Sequence, residues 1–325
     1  GRRMKQGMAT REAYGHTLVA LGRENPNIVV LDADLSKSTM TKIFAEEFPD
    51  RFFDAGVAEQ NMVGMAAGLA SCGKIVFASS FAVFLPGRCF DQLRMSVAYS
   101  QMNVKVAASH SGLTVGEDGA SHQSIEDLAL IRSLPGFRII VPADEVASAW
   151  ATRTAASVVG PMYLRLGRPK SLIVYENGHD FVLGKAVRLL DGDDATIIAN
   201  GRMLAEALQA AAICRDKGIA VRVLDMHTVE PLDREAVKDA AMETGAVVVA
   251  EEHLLNGGTG SAVALVLAEE YPVPIEFVAI KQAFGQSGDP ASLLKAYGLT
   301  ADDIVAAVEK AIARKRQIVS VRRGS

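Results

Sequence analysis

Short β-branched runs alternate with longer Ala-, Leu- and Met-rich stretches along nearly the whole chain, and this alternation restricts the fold more than any other feature. Ile28 to Leu31, Ile75 to Ala78, Val104 to Ala107, Arg138 to Val141 and Tyr163 to Leu166 read as strands. Near-continuous apolar runs of this kind suit strands buried on both faces, as in a parallel sheet. Between them, Glu59 to Ser71 and Ser124 to Ser133 have the length and composition of helices that cover such a sheet. From Ser171 to Asp193 the pattern lapses, and Glu176-Asn177-Gly178 and Asp191-Gly192-Asp193 supply turn residues. It restarts with strands at Ala195 to Ala199, Ala220 to Leu224, Ala246 to Ala250 and Ile275 to Val278. Helices are expected near Leu204 to Lys217, Arg234 to Glu243, Ser261 to Glu270 and Asp302 to Lys315. The sequence thus predicts an α/β protein of two domains, each a mainly parallel sheet flanked by helices. The first spans residues 1–170, a linker spans 171–193, and a second, smaller domain spans 194–325. The basic tail after Lys315 reads as frayed.

A chain of 325 residues, 49% apolar and 22% charged, has enough apolar material for two buried cores. Its formal charge of -4 and pI near 5.9 give no basic field to draw in a polyphosphate backbone, so nucleic acid is not an expected partner. Cys72, Cys89 and Cys214 are an odd set without metal or redox spacing, and read as reduced packing groups in a cytoplasmic protein. No apolar run approaches the ~20 residues of a membrane span. The opening GRRMKQGMATRE lacks an apolar signal core, and Met4 is the expected natural start.

Four stretches carry candidate chemistry. Asn256-Gly257-Gly258-Thr259-Gly260-Ser261 precedes a helix and invites a phosphate-loop reading, but it lacks the Walker lysine and the full glycine spacing; a plain strand-to-helix turn is the simpler account. Asp32-Ala33-Asp34 ends a strand, and alternation sends the two carboxylates to opposite faces, against joint ligation of one ion. His110 to Gln123 gathers two histidines, two acids and three glycines in one loop after a strand. Imidazoles there suit proton movement or oxyanion binding near neutral pH. Asp54-Ala55-Gly56-Val57-Ala58-Glu59-Gln60-Asn61 leads into a helix, and on spacing alone Glu59 is an ordinary first-turn acid complementing the helix dipole.

Taken in order, Ala9-Thr10-Arg11, Asp32-Ala33-Asp34-Leu35 with Ser38, Gly56-Val57-Ala58-Glu59-Gln60 and Gly116-Glu117-Asp118-Gly119-Ala120-Ser121-His122-Gln123 resemble the transketolase family. The resemblance runs from about Ala9 to the end of the second domain. It implies a thiamine-diphosphate pyrimidine-binding fold followed by a transketolase C-terminal domain. It also implies that Glu59 shares a proton with the aminopyrimidine N1′, and that Phe81 and Phe84 cradle that ring. A further aromatic often follows three positions later, where this chain has Gly87. Arg11, Ser38, His110 and Arg168 match the family's sugar-phosphate set, Asp118 the reader of a substrate hydroxyl, and His122 the group beside the donor's C1 hydroxyl and carbonyl. Arg165 reads equally as an extra cation of that set or as a surface or ion-pairing residue.

The implied reaction is ketol transfer from a ketose phosphate to an aldose phosphate, with a pentose-phosphate pair as the default substrates. The family's Gly-Asp-Gly and Asn-Asn signature for magnesium and diphosphate is not found in the sequence, and no metal ligand is assigned. The resemblance therefore implies a split enzyme: Mg2+ and the cofactor's diphosphate held by a separate N-terminal subunit, in an α2β2 assembly with sites at subunit interfaces. A 1-deoxyxylulose-5-phosphate synthase, a keto-acid dehydrogenase β subunit, a regulatory homologue and a nucleotide-binding module are the competing readings. The second domain is expected to serve packing and dimer contact.

Overall fold

The structure is a computed structural model and describes residues 4–324. The first sheet has seven strands in the order β12-β6-β7-β5-β4-β2-β3, with β12 (Thr228–Glu230) at its far edge. Its central members are β2 (Ile28–Asp32), β4 (Ile75–Phe81), β5 (Val104–Ser109) and β7 (Met162–Arg165), with β3 (Phe52–Asp54) at one side and β6 (Arg138–Ile140) toward the other. All these neighbours pair in parallel. Every residue of β2, β5 and β7 is buried, which is why these runs are apolar rather than alternating. The helix Glu59–Ser71 covers one face through Met62, Val63 and Ala66, and the helix Thr10–Glu24 covers the other through Tyr14 and Leu18.

The second sheet runs β14-β13-β10-β11-β9. Its strands are β9 (Val187–Leu190), β10 (Ala195–Ala199), β11 (Val221–Asp225), β13 (Val247–Leu254) and β14 (Ile275–Ile280), parallel except for β9. A two-stranded antiparallel ribbon joins β1 (Gln6–Ala9) to β8 (Lys170–Leu172). The fold class read from the sequence is the one observed: two mainly parallel sheets, each with helices on both faces.

Residues 171–193 are more ordered than their turn chemistry suggests. They contain β9, and Tyr175 and Phe181 lie buried, with Phe181 against Trp150 at 5.0 Å. Asp144 anchors this stretch: one oxygen caps the helix Glu145–Ser157 at Ala147, and the other accepts the N–H groups of Val174 and Tyr175. The strand β12 (Thr228–Glu230) leaves the second segment and pairs antiparallel with β6, so the first sheet depends on both halves of the chain. The tail read as frayed continues the helix Ala301–Gly324. Among the described residues no helix is long and apolar enough to cross a membrane.

Candidate active site

The parallel strands of the first sheet deliver the candidate residues from their carboxyl ends. The chain leaves β2 toward β3 on one side, then returns to β4 on the other, so the ends of β2 and β4 flank a topological switch point, where open α/β sheets bind ligands. Ser38 follows β2, Glu59 opens the helix after β3, Phe81 ends β4, His110 follows β5 and Arg168 follows β7.

Glu59 is only 6% exposed and sits in the first helical turn. Its Oε1 accepts a 2.9 Å hydrogen bond from Arg88 Nη1. The Arg88 guanidinium carbon in turn lies 4.2 Å from the centroid of the Phe84 ring, a cation–π contact. Phe84 and Phe81 are nearly parallel, 9° apart with centroids at 5.7 Å, and His122 meets Phe84 edge-on at 5.5 Å. Phe81 stacks on His110 at 3.8 Å. Glu59, both phenylalanines and both imidazoles therefore form one continuous cluster.

A second cluster adjoins it. Arg11 donates from Nη1 to the Ser38 carbonyl at 2.6 Å and from Nε to the Arg168 carbonyl at 3.1 Å. Arg168 donates to the Val115 carbonyl and lies 3.7 Å from Glu117 and 3.9 Å from Asp118. Burial, reinforced by the charges of Arg11, Arg168 and His122, pushes the His110 imidazole down to about 3. His110 is thus a neutral hydrogen-bonding ring at physiological pH, its Nδ1 2.8 Å from the Ser109 hydroxyl. Burial likewise lowers the proton affinity of Arg11, though not to the point of losing its charge.

Arg165 stands apart from this set. It is 5% exposed and binds Asp127 in bidentate fashion, Nε to Oδ2 at 2.9 Å and Nη2 to Oδ1 at 3.0 Å, with Tyr163 Oη donating to the same carboxylate at 2.7 Å. It also donates to the Glu252 carbonyl of the second sheet, so its place is the seam between domains. Asp32 is structural too: its oxygens take the Leu35 N–H and the Thr39 and Thr41 hydroxyls, while burial raises its proton affinity to about 6. Asp34 is exposed, with φ 62°.

The glycine-rich turn at 256–261 already holds an anion of its own. Buried Glu251 accepts the Thr259 N–H at 2.7 Å and the Gly260 N–H at 2.9 Å, occupying the helix N-terminus that a phosphate would need. Sequence reasoning missed this capping carboxylate and the Arg88 contact with Glu59. Both partners of each pair lie in irregularly spaced positions with no periodic signal to join them.

Comparison with known proteins agrees with this architecture. Residues 6–172 match the model of the transketolase pyrimidine-binding domain, and residues 184–304 that of the transketolase C-terminal domain. The chain is 48% identical over 297 residues to the putative transketolase C-terminal section of Methanocaldococcus jannaschii, covering 90% of this chain and 93% of that protein. It is 42% identical over 305 residues to the 6-deoxy-6-sulfo-D-fructose transketolase subunit SqwH of Clostridium sp. (strain MSTE9), covering 94% and 95%. A solved split-gene transketolase, described as an inactive beta4 tetramer, superposes with a TM-score of 0.90 at 53% identity, covering 95% of this chain and all of that one. With both domain models matched in order and close relatives matched along nearly their whole length, this chain belongs to the transketolase family.

Proposed function

We propose that this chain is the C-terminal subunit of a thiamine-diphosphate-dependent transketolase, moving a two-carbon ketol unit from a ketose phosphate to an aldose phosphate with a separate N-terminal subunit. The observation that carries the reading is the convergence of a buried carboxylate, two parallel aromatic rings and two guanidinium groups at the carboxyl ends of one sheet. Support for a two-subunit enzyme comes from relatives of the same length, one named a C-terminal section and one a subunit.

The residues suit the cofactor's pyrimidine end. Phe81 and Phe84 offer flat apolar faces, and Glu59 is a carboxyl group suited to a hydrogen bond with a ring nitrogen. Among the described residues there is no cluster of three or more His, Cys, Asp or Glu of the kind that holds a metal. The reading gives Mg2+ and the diphosphate to the partner subunit, in an α2β2 assembly. When bound, thiamine diphosphate supplies the electron sink for cleaving and forming the carbon–carbon bond.

The chain's own residues do the rest. Arg11 and Arg168 grip the sugar phosphate with forked donors, helped by the Ser38 hydroxyl and by neutral His110. Asp118 accepts a hydrogen bond from a sugar hydroxyl, and His122, beside Phe84, serves the donor's C1 hydroxyl and carbonyl oxygen. Holding both sugars against one reactive centre contributes through positioning. A cytoplasmic pentose-phosphate role is the default setting, and the sulfosugar relative supports a second reading in which the donor is a modified hexose.

The test is ketol transfer from xylulose 5-phosphate to ribose 5-phosphate, with thiamine diphosphate and Mg2+, by this chain alone and mixed with its candidate N-terminal subunit. Activity only in the mixture is expected. Activity of the chain alone overturns the two-subunit reading. No transfer from xylulose 5-phosphate, but transfer from a sulfonated ketose, selects the second reading.

A further inference from the structure

A cavity of about 220 Å3 lies between the two domains and is lined by residues from both, Thr10, Ser111 and Gly167 among them, the chain neighbours of Arg11, His110 and Arg168. It opens at the second sheet's own topological switch point. The connection from β10 runs to β11 on one side, and the chain then returns past β10 to β13 on the other. Crevices at the carboxyl ends of such strands are where open α/β sheets take ligands. We propose that this cavity is a second binding site, for a small phosphorylated polyol.

The charge distribution defines the ligand. Among the lining residues Arg202 and Lys170 are cations, as is Arg165, already paired with Asp127, and Arg202 stands at the N-terminus of the helix Met203–Asp216, whose dipole also favours an anion. Arg202 Nε is buried without a hydrogen-bond partner among the described residues, an orphaned donor in the wall of a cavity. Gly201, at φ 53°, turns the backbone between β10 and that helix.

The lining also holds two carboxylates, Glu252 and, one helical turn beyond Arg202, Glu206. Glu252, 6% exposed, spends Oε1 on the Thr114 N–H at 2.8 Å, and Glu206 spends Oε2 on the Ala301 N–H at 2.9 Å. These carboxylates repel a bare anion but accept hydroxyl donors. Ser111, whose hydroxyl donates to the Leu166 carbonyl, keeps acceptor capacity at the wall. A ligand that carries both a phosphate and hydroxyls satisfies both kinds of lining group. Inorganic phosphate alone satisfies only the first.

This site shares no side chain with the phosphate set proposed above, and its failure would leave the Glu59 reading untouched. The test is isothermal titration of ribose 5-phosphate into the full chain carrying Arg11→Ala and Arg168→Ala, which silences the first set. Binding is expected to persist there and to weaken at least about tenfold on adding Arg202→Met or Glu252→Gln, the scale of one charge-assisted hydrogen bond. Arg202→Lys is expected to keep part of the affinity. Ribose and inorganic phosphate, each half of the ligand, are expected to bind at least about tenfold more weakly than ribose 5-phosphate. Unfolding midpoints of the same variants separate lost binding from lost folding. Absence of binding to the folded double variant, indifference to both Arg202→Met and Glu252→Gln, or equal binding of glutamate each overturns the proposal.

Discussion

Arg88 and Glu59 are joined across the mouth of the aromatic cluster: Nη1 lies 2.9 Å from Oε1 while the guanidinium covers the Phe84 ring. A planar cation thus engages both the carboxylate and the ring face that the proposed function gives to the cofactor's pyrimidine. Arg88 is half exposed, so the pair is worth under about 1 kcal/mol. Arg88→Ala is expected to tighten thiamine diphosphate binding to the assembled enzyme by up to about fivefold, measured as Kd by calorimetry. Weaker binding in the variant would instead make Arg88 part of the cofactor's own grip.

Glu59→Gln keeps the side chain's size and a hydrogen bond to Arg88 while removing the acid. On the proposed function, kcat of the mixed enzyme falls by about two orders of magnitude or more, the scale of general acid–base catalysis. The unfolding midpoint is expected to stay within about 2 °C, since no packing atom is lost. Unchanged kcat would sink the assignment.

His110 sets a pH dependence of stability. Its folded proton affinity, lowered to about 3 chiefly by burial, is below that of the unfolded chain. Between pH 6.5 and 3 the unfolded state therefore binds the extra proton. Stability from this group is complete above pH 6.5 and drains away as pH falls, by at most about 1.4 kcal/mol per pH unit. His110→Gln should flatten the slope of unfolding midpoint against pH in that window, and the His110 ring resonances should not titrate above pH 4.

Breaking the Arg165–Asp127 pair from one side leaves a fully buried carboxylate whose remaining side-chain donor is Tyr163. Burial raises the Asp127 proton affinity, but the Arg165 charge and hydrogen bonds, together with His253 and the Tyr163 hydroxyl, outweigh it and hold it low. Arg165→Met is expected to cost about 3–5 kcal/mol in chemical unfolding, while the double variant Arg165→Met/Asp127→Leu recovers much of that loss. Full retention of stability by the single variant would refute a structural role.

Much of the sheet architecture was legible because strands buried on both faces are mainly apolar, and runs such as Ile28 to Leu31 admit few other readings. The helix Glu59–Ser71 was legible to the residue. The helix Thr10–Glu24 was not identified: Gly15 and Gly22 interrupt its signal, and both are there to admit neighbouring side chains, Met40 and the rings of Phe44 and Phe48. The expected helix at Ser124 to Ser133 shortens to Asp127–Arg132 because Ser124 and Ile125 are tied into other contacts. Arg165 was ambiguous since its surroundings, not its neighbours in sequence, decide whether an arginine on a strand is paired. Motif order located Arg11, Ser38, His110 and Arg168, and folding brings them together. The Arg88 contact spans 29 positions and leaves no trace in periodicity.

The pairing of β12 with β6 also bears on how such a chain can be divided. Three residues near position 229 close the edge of a sheet whose other strands all precede residue 166. On a ribosome, that edge waits for more than sixty further residues before it is covered, since β7 ends at Arg165 and β12 begins at Thr228. A gene break between the two domain models would leave β6 with a bare backbone ladder open to foreign strands. A break inside this segment therefore separates an edge from the strand that covers it.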